Sequence, residues 1–119
     1  MSKHKKKSTI QKTKEHYFRL YKTYGNVFCP ALQSDVLFTN WGWSHLFEEK
    51  WRTSREIEER LKLLPLGKKL ISQSTTLQRK RFQNYHDHFE FNAFMDGVLV
   101  VAVVIENKKK YYFYSVYRE

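Results

Sequence analysis

His45 closes the run "NWGWSH", with Trp41 and Trp43 just before it. An imidazole titrates near neutral pH and serves as acid or base, and an indole beside it can wall a pocket or stack on a planar ring. Further along come three consecutive cations, Arg79, Lys80 and Arg81, then His86 and His88, and finally Ser115 and Tyr117 inside "YYFYSVY". Such a set suits acid–base chemistry at a phosphate ester. RNA carries its own nucleophile, the 2′-hydroxyl: a base removes its proton, cations stabilise the dianionic phosphorane, and an acid protonates the leaving 5′-oxygen.

Each of these residues also has an ordinary structural use. A lone histidine between Ser44 and Leu46 serves equally as a packed or capping residue, and Ser44 or Asn40 can cap a helix that starts here. Trp41 and Trp43, two apart, diverge on a helix, so one can enter the core while the other stays free to stack. Arg79, Lys80 and Arg81 put at least one cation on each face of a strand. With the lysine turn Lys108 to Lys110 and neighbouring tyrosines they fit a surface that holds phosphates and stacks unpaired bases. A lysine turn is equally a solvated guard on a sheet edge.

His86 and His88 share one strand face, the geometry of a two-histidine metal grip that Glu90 would extend. No third histidine or cysteine is placed to complete it, and the expectation is no metal and no cofactor. Four glycines form no phosphate-binding loop, and there is no GxSxG elbow and no HExxH. P-loop nucleotide hydrolysis, triad acyl transfer and zinc proteolysis therefore lack support.

The elements that must position these residues are legible to different degrees. "EHYFRLYKTY" spaces Phe18, Leu20 and Tyr21 for a helix that stops at Gly25-Asn26. "VFCPAL" and "DVLFTN" are brief strand-like runs, the first demoted to an edge by Pro30. Leu46, Phe47 and Lys50 follow one another at helical spacing, and Thr53 with Glu56 is a capping-box signature for a further helix with Ile57, Leu61 and Leu64 on one stripe. Pro65 closes that helix or opens a continuation through Leu66, Leu70 and Ile71.

Period-two alternation then takes over. Asp96-Gly97 predicts a type I′ hairpin that pairs Met95 with Val98, Phe91 with Ala102, Phe89 with Val104 and His88 with Ile105. "VLVVAVVIE" predicts a buried central strand, and "NKKK" turns the chain into the last one. Unbroken alternation there places Tyr111, Phe113, Ser115 and Tyr117 on one face and Tyr112, Tyr114 and Val116 on the other. The fold class expected is α+β, with N-terminal helices packed on a twisted antiparallel β-meander of three to four strands.

The chain is 119 residues long, 41% hydrophobic and 17% aromatic, which suffices for one core. Its net charge of +10 is concentrated at the start, where Lys3, Lys5, Lys6, Lys7, Lys12 and Lys14 precede the first acid, Glu15. Residues 1–14 are accordingly expected as a basic disordered tail and residues 15–119 as a single domain. The one cysteine, Cys29, fits a reducing compartment, and the basic start lacks the apolar stretch of a secretory signal. With no run long enough to span a bilayer, the expectation is a cytoplasmic protein without a membrane partner.

The order "GWSH" on a helix, "RLKLLP" on the next, a meander and a last strand "YFYSV" resembles the BECR superfamily of small metal-independent ribonucleases, especially its phage- and mobile-element-borne branch. That superfamily includes barnase, EndoU, colicin D and RelE-like toxins. The similarity spans about Asp35 to Tyr117. It implies a histidine or lysine from an N-terminal helix acting with basic sheet residues and a Ser, Thr or His on the final strand. By position these are His45 and Ser115, with Arg79 or Arg81 as phosphate clamps and Lys50 and Arg52 as further contacts. The departure from the pattern is the lack of a clearly placed second catalytic histidine, unless His86 or His88 fills that role.

The resulting expectation is a metal-independent endoribonuclease that cleaves RNA by acid–base catalysis to a 2′,3′-cyclic phosphate, with His45, Ser115, Arg79 and Arg81 at the reaction and Trp41, Trp43, Lys50, Arg52, Lys80, His86, His88 and Tyr117 holding RNA. By resemblance alone the RNA is tRNA or mRNA, the enzyme is toxin-like, and a cognate inhibitor protein accompanies it. The competing readings are a non-catalytic RNA-binding or ribosome-associated module and a protein–protein adaptor using exposed aromatics.

Overall fold

The computed structural model describes residues 9–47 and 52–119. Lys50 and the first eight residues of the expected tail lie outside them. Helix α1 (Thr9–Lys22) leads into strand β1 (Asn26–Cys29), a 3₁₀ turn at Pro30–Leu32 and strand β2 (Ser34–Leu37). Helices α2 (Asn40–His45) and α3 (Ser54–Gln73) follow, then strands β3 (Arg79–Gln83), β4 (His86–Met95), β5 (Val98–Asn107) and β6 (Lys110–Arg118). No helix among the described residues is long and apolar enough to cross a membrane.

The α+β class is as expected, but the sheet is larger and mixed. Six strands run in the order β1-β2-β6-β5-β4-β3, antiparallel except where β2 lies parallel to β6. Two brief runs, "NVFC" and "SDVL", thus become a hairpin docked on the final strand through Val36–Tyr111 and Leu37–Tyr112. Each is only four residues long, and the pairing that secures them lies far away in sequence.

The tail expected over residues 1–14 also needs correction, because α1 begins at Thr9. Ile10, Tyr17, Leu20, Tyr21 and Tyr24 recur at helical spacing, and all five pack in or against the core. The apolar stripe therefore starts inside the lysine-rich stretch, where Lys12 is exposed and the Lys14 ammonium lies 4.6 Å from the Phe47 ring centroid. In α3, the Thr53 hydroxyl accepts the Glu56 amide at 3.1 Å as its sequence signature requires. Pro65 does not end this helix, which runs on so that Leu61, Leu64, Leu70 and Ile71 are buried on the sheet.

Three two-residue turns join β3 to β6. Asn84-Tyr85, Asp96-Gly97 and Lys108-Lys109 all have positive φ at both positions, between 50° and 78°. That is the backbone of the type I′ hairpin, whose twist matches that of the strands it joins. The β4–β5 register is the one the Asp96-Gly97 turn predicts, from Met95–Val98 to His88–Ile105.

The final strand departs from simple alternation. Val103 pairs with Ser115 but Val104 pairs with Phe113, so Tyr114 is a bulge residue. Phe113 and Val116 consequently lie on the helix-covered face, with Tyr111 packed beside them. Ser115 and Tyr117 are turned onto the opposite face, not onto the face of Tyr111 and Phe113 as alternation predicts. An inserted residue re-aims every side chain beyond it, which is a common use of bulges near functional sites.

Candidate active site: a basic groove on the open face of the sheet

The sheet face not covered by α1 and α3 carries the polar positions of β3, β4 and β6. Arg81 faces His88 and Arg79 faces Glu90 across β3–β4, and Val103 lies between Glu90 and Ser115. A cavity of about 240 Å³ opens on this face. His45, Arg52, Arg60, Arg81, His88 and Ser115 contribute to its walls, with Tyr114 and Tyr117 beside them.

His45 arrives there because α2 lies almost directly on β6. Gly42 makes this possible: a Cβ at that position would stand 2.4 Å from the Phe113 carbonyl oxygen and 3.0 Å from the Tyr21 hydroxyl. Tyr21 in turn donates to the Thr39 carbonyl at 2.7 Å, pinning the start of α2. Thr39 precedes the helix without a side-chain cap, so neither Asn40 nor Ser44 plays the capping part considered for them. At the other end, Arg52 Nη1 donates to the carbonyls of His45 at 3.1 Å and Leu46 at 2.7 Å. Arg52 was expected to contact RNA; its guanidinium secures the main chain of His45 as well as lining the groove.

The His45 ring lies on the Tyr114 ring, with centroids 3.7 Å apart and planes inclined by 31°. His88 meets the same tyrosine edge-on at 5.2 Å. Tyr114 is therefore the partition between two imidazoles. His88 is 4% exposed, and its Nε2 lies 3.0 Å from the Gln83 carbonyl oxygen. A carbonyl only accepts, so Nε2 carries the hydrogen and Nδ1 is the basic atom of the neutral ring. Desolvation lowers the His88 pKa below the usual 6.5, reinforced by the Arg81 and His86 charges against the opposing effects of the Gln83 bond and Glu90. It is uncharged at pH 7.

Cations supply the rest of the groove. Arg60 Nη1 donates to Ser115 Oγ at 2.8 Å, and its guanidinium lies 5.5 Å from the Tyr117 ring centroid. Arg81 Nη2 stands 3.0 Å from Glu90 Oε2, an ion pair whose alignment is not that of a hydrogen bond. Glu90 is buried on the same sheet face, and the lining of the groove has three arginines and no carboxylate among the described residues. Burial raises the Tyr117 pKa, so its phenol stays protonated.

The expected residues therefore divide. His45, Ser115, Arg81, Arg52, His88 and Tyr117 meet at one place. Arg79 shares the face but lies one pair beyond the cavity. Lys80 is on the other face, its ammonium 5.4 Å from the Phe89 ring. Trp43 is packed against Phe18, Tyr21 and Phe47 and belongs to the core side, whereas Trp41 is 43% exposed beside Tyr114 and Tyr112. His86 lines a neighbouring cavity, not the groove. Although His86, His88 and Glu90 share a face, the described residues contain no cluster of three or more potential metal-ligating His, Cys, Asp or Glu side chains.

Arg60 is the site residue that sequence reading missed. Between Glu59 and Lys62 it reads as part of the solvated face of α3, and only the seating of α3 on β6 brings it to Ser115. Gly42 did carry a signal, since a glycine inside a helix weakens it unless something packs closely there. A larger groove of about 540 Å³ beside the end of α3, lined in part by Gln73, Thr76, Gln78 and Asp96, has no comparable set of cations and imidazoles.

This arrangement can hold a phosphate against guanidiniums and offer two histidines for proton transfer. No protein-family model, no curated protein and no solved structure matches this chain.

Proposed function

We propose that the groove cleaves RNA without a metal ion, through attack of the substrate's own 2′-hydroxyl on the adjacent phosphorus. The observation that carries this reading is the meeting of His45, His88, Arg60, Arg81 and Ser115 around one cavity. Three arginines at a concave surface attract a phosphodiester.

In the proposed reaction His88, neutral at pH 7 with its proton fixed on Nε2, is the base that takes the 2′-proton at Nδ1. The 2′-oxygen forms its bond to phosphorus as the bond to the 5′-oxygen breaks, leaving a 2′,3′-cyclic phosphate. Arg60 and Arg81 hold the non-bridging oxygens, whose charge is greatest in the phosphorane. Ser115, bonded to Arg60, orients that guanidinium and presents a hydroxyl to the phosphate. His45 protonates the departing 5′-oxygen. The products are a cyclic phosphate and a free 5′-hydroxyl, and tRNA or mRNA is the proposed substrate class.

The test is incubation of the purified protein with tRNA and total RNA in EDTA, followed by analysis of the product ends. Fragments ending in 2′,3′-cyclic phosphate, absent with a folded His45→Ala variant, are expected. Intact RNA that nevertheless binds the protein with a steep salt dependence would replace this reading with that of a non-catalytic RNA-binding module.

A further inference from the structure

Beside the groove lies a second cavity of about 270 Å³, lined by Thr39, Trp41, His86, Ile105, Asn107 and Tyr112. It occupies the same sheet face at the β5–β6 turn, where Ile105 pairs with Tyr112 and Asn107 with Lys110. Its character differs from that of the groove: two aromatic rings and an isoleucine supply the surface, and a hydroxyl, a carboxamide and an imidazole supply the polar atoms.

We propose that this cavity seats one unpaired nucleobase of the polynucleotide whose phosphate occupies the groove. The proposal deepens the nuclease reading of the neighbouring site and rests on it for the identity of the polymer. Three observations support it. The Trp41 indole is 43% exposed and lines this cavity, so a base can stack on it. Tyr112 stands nearly perpendicular to it, with centroids 6.5 Å apart and planes at 84°, forming a side wall to its platform. The Thr39 hydroxyl oxygen is closed off from solvent and has no hydrogen-bond partner among the described residues.

A buried hydroxyl without a partner is costly, and rotation of the Thr39 side chain toward the cavity that it lines lets a ligand edge recover that loss. The exposed Asn107 carboxamide brings both a donor and an acceptor, as the edge of a base requires. Trp41 also fixes the relation between the two cavities, because its ring lies 6.4 Å from that of His45 and 5.3 Å from that of Tyr114. A base stacked there lies within one nucleotide's reach of the imidazoles, so the cavity would select which nucleotide is presented for reaction.

The experiment is an NMR titration of the full chain with adenosine, guanosine, cytidine and uridine, which carry no phosphate and therefore do not depend on the arginines. At least one of the four is expected to shift the Trp41 indole and Asn107 side-chain amide signals. Trp41→Ala should weaken that binding about tenfold, as expected for one lost stacking partner. Thr39→Val and Asn107→Leu should each weaken it and alter the order of preference among the four, which covers the case of a poorly folded Trp41→Ala. The proposal is overturned if no nucleoside moves these signals, or if folded variants bind as the wild type does. Nucleoside binding with RNA left intact in EDTA would retain the base site and remove the nuclease reading; cleavage without a nucleoside response would do the reverse.

Discussion

Tyr114 separates His45 from His88, stacked on the first at 3.7 Å and edge-on to the second at 5.2 Å. Tyr114 keeps the face that alternation from Tyr112 gives it, and as the residue left over between the pairs Val103–Ser115 and Val104–Phe113 it lets Ser115 turn onto that same face. The bulge thereby sets the tyrosine that supports His45 and the hydroxyl that meets Arg60 side by side. His45→Ala is expected to lower RNA cleavage by roughly 10²- to 10⁴-fold, the range typical of a lost proton-transfer group. Tyr114→Phe should retain most activity and Tyr114→Ala should lose a large part of it, since the ring face and not the hydroxyl supports the imidazole. Single-turnover cleavage rates, with circular dichroism to check folding, decide this.

Gly42 sets the distance between α2 and β6. Gly42→Ala places a methyl group 2.4 Å from the Phe113 carbonyl oxygen, and a backbone atom cannot swing aside. Urea denaturation should show a loss of about 1–3 kcal/mol, the usual cost of forcing a carbon into a filled site. Cleavage should fall by more than stability alone would explain at a temperature where the variant remains folded, because His45 moves with α2.

Arg60 and Ser115 act as one unit through their 2.8 Å bond. Arg60→Gln and Ser115→Ala should each reduce cleavage, and the double variant should be little worse than Arg60→Gln alone. Independent additive losses would show that the hydroxyl works without the guanidinium. The cycle is read from kcat/KM on one defined oligonucleotide.

His88 links the groove to pH. Its folded-state pKa is lowered while the unfolded value stays near 6.5, so the unfolded chain takes up a proton first as the medium is acidified. Its contribution to stability is accordingly constant above about pH 6.5 and falls as pH drops through and below that value. Denaturant midpoints measured from pH 8 to pH 5 should decline toward acid, and His88→Gln should flatten the decline. The acidic limb of the cleavage profile should likewise lie below pH 6.5, where the base becomes protonated.

Sequence patterning reached the parts of this molecule governed by short-range rules. The capping box at Thr53, the Asp96-Gly97 turn and the β4–β5 register follow from local residue chemistry, and each is found where that chemistry places it. The Asn84-Tyr85 turn was masked because Tyr85 continues the surrounding alternation, although asparagine is among the few residues that tolerate positive φ. The β1–β2 hairpin and the parallel step to β6 depend on contacts between distant segments, which no local window contains. At the site, the chemical types of His45, Ser115 and Arg81 marked them out, and their convergence on one cavity is a finding of the structure. Arg60 stayed hidden because its neighbours in sequence are those of an ordinary wet helix face.

The docking of β2 on β6 has a consequence for biosynthesis. Val36 and Leu37 are made early, yet their partners Tyr111 and Tyr112 emerge only after both helices and three further strands. The same late strand carries Tyr114 and Ser115, against which His45 and Arg60 are set. A ribosome translating this chain therefore carries a nascent polypeptide whose groove is still missing one wall. Its components come together only once β6 has left the exit tunnel, so the groove is assembled as a late step of folding and not while α2 and α3 are being made.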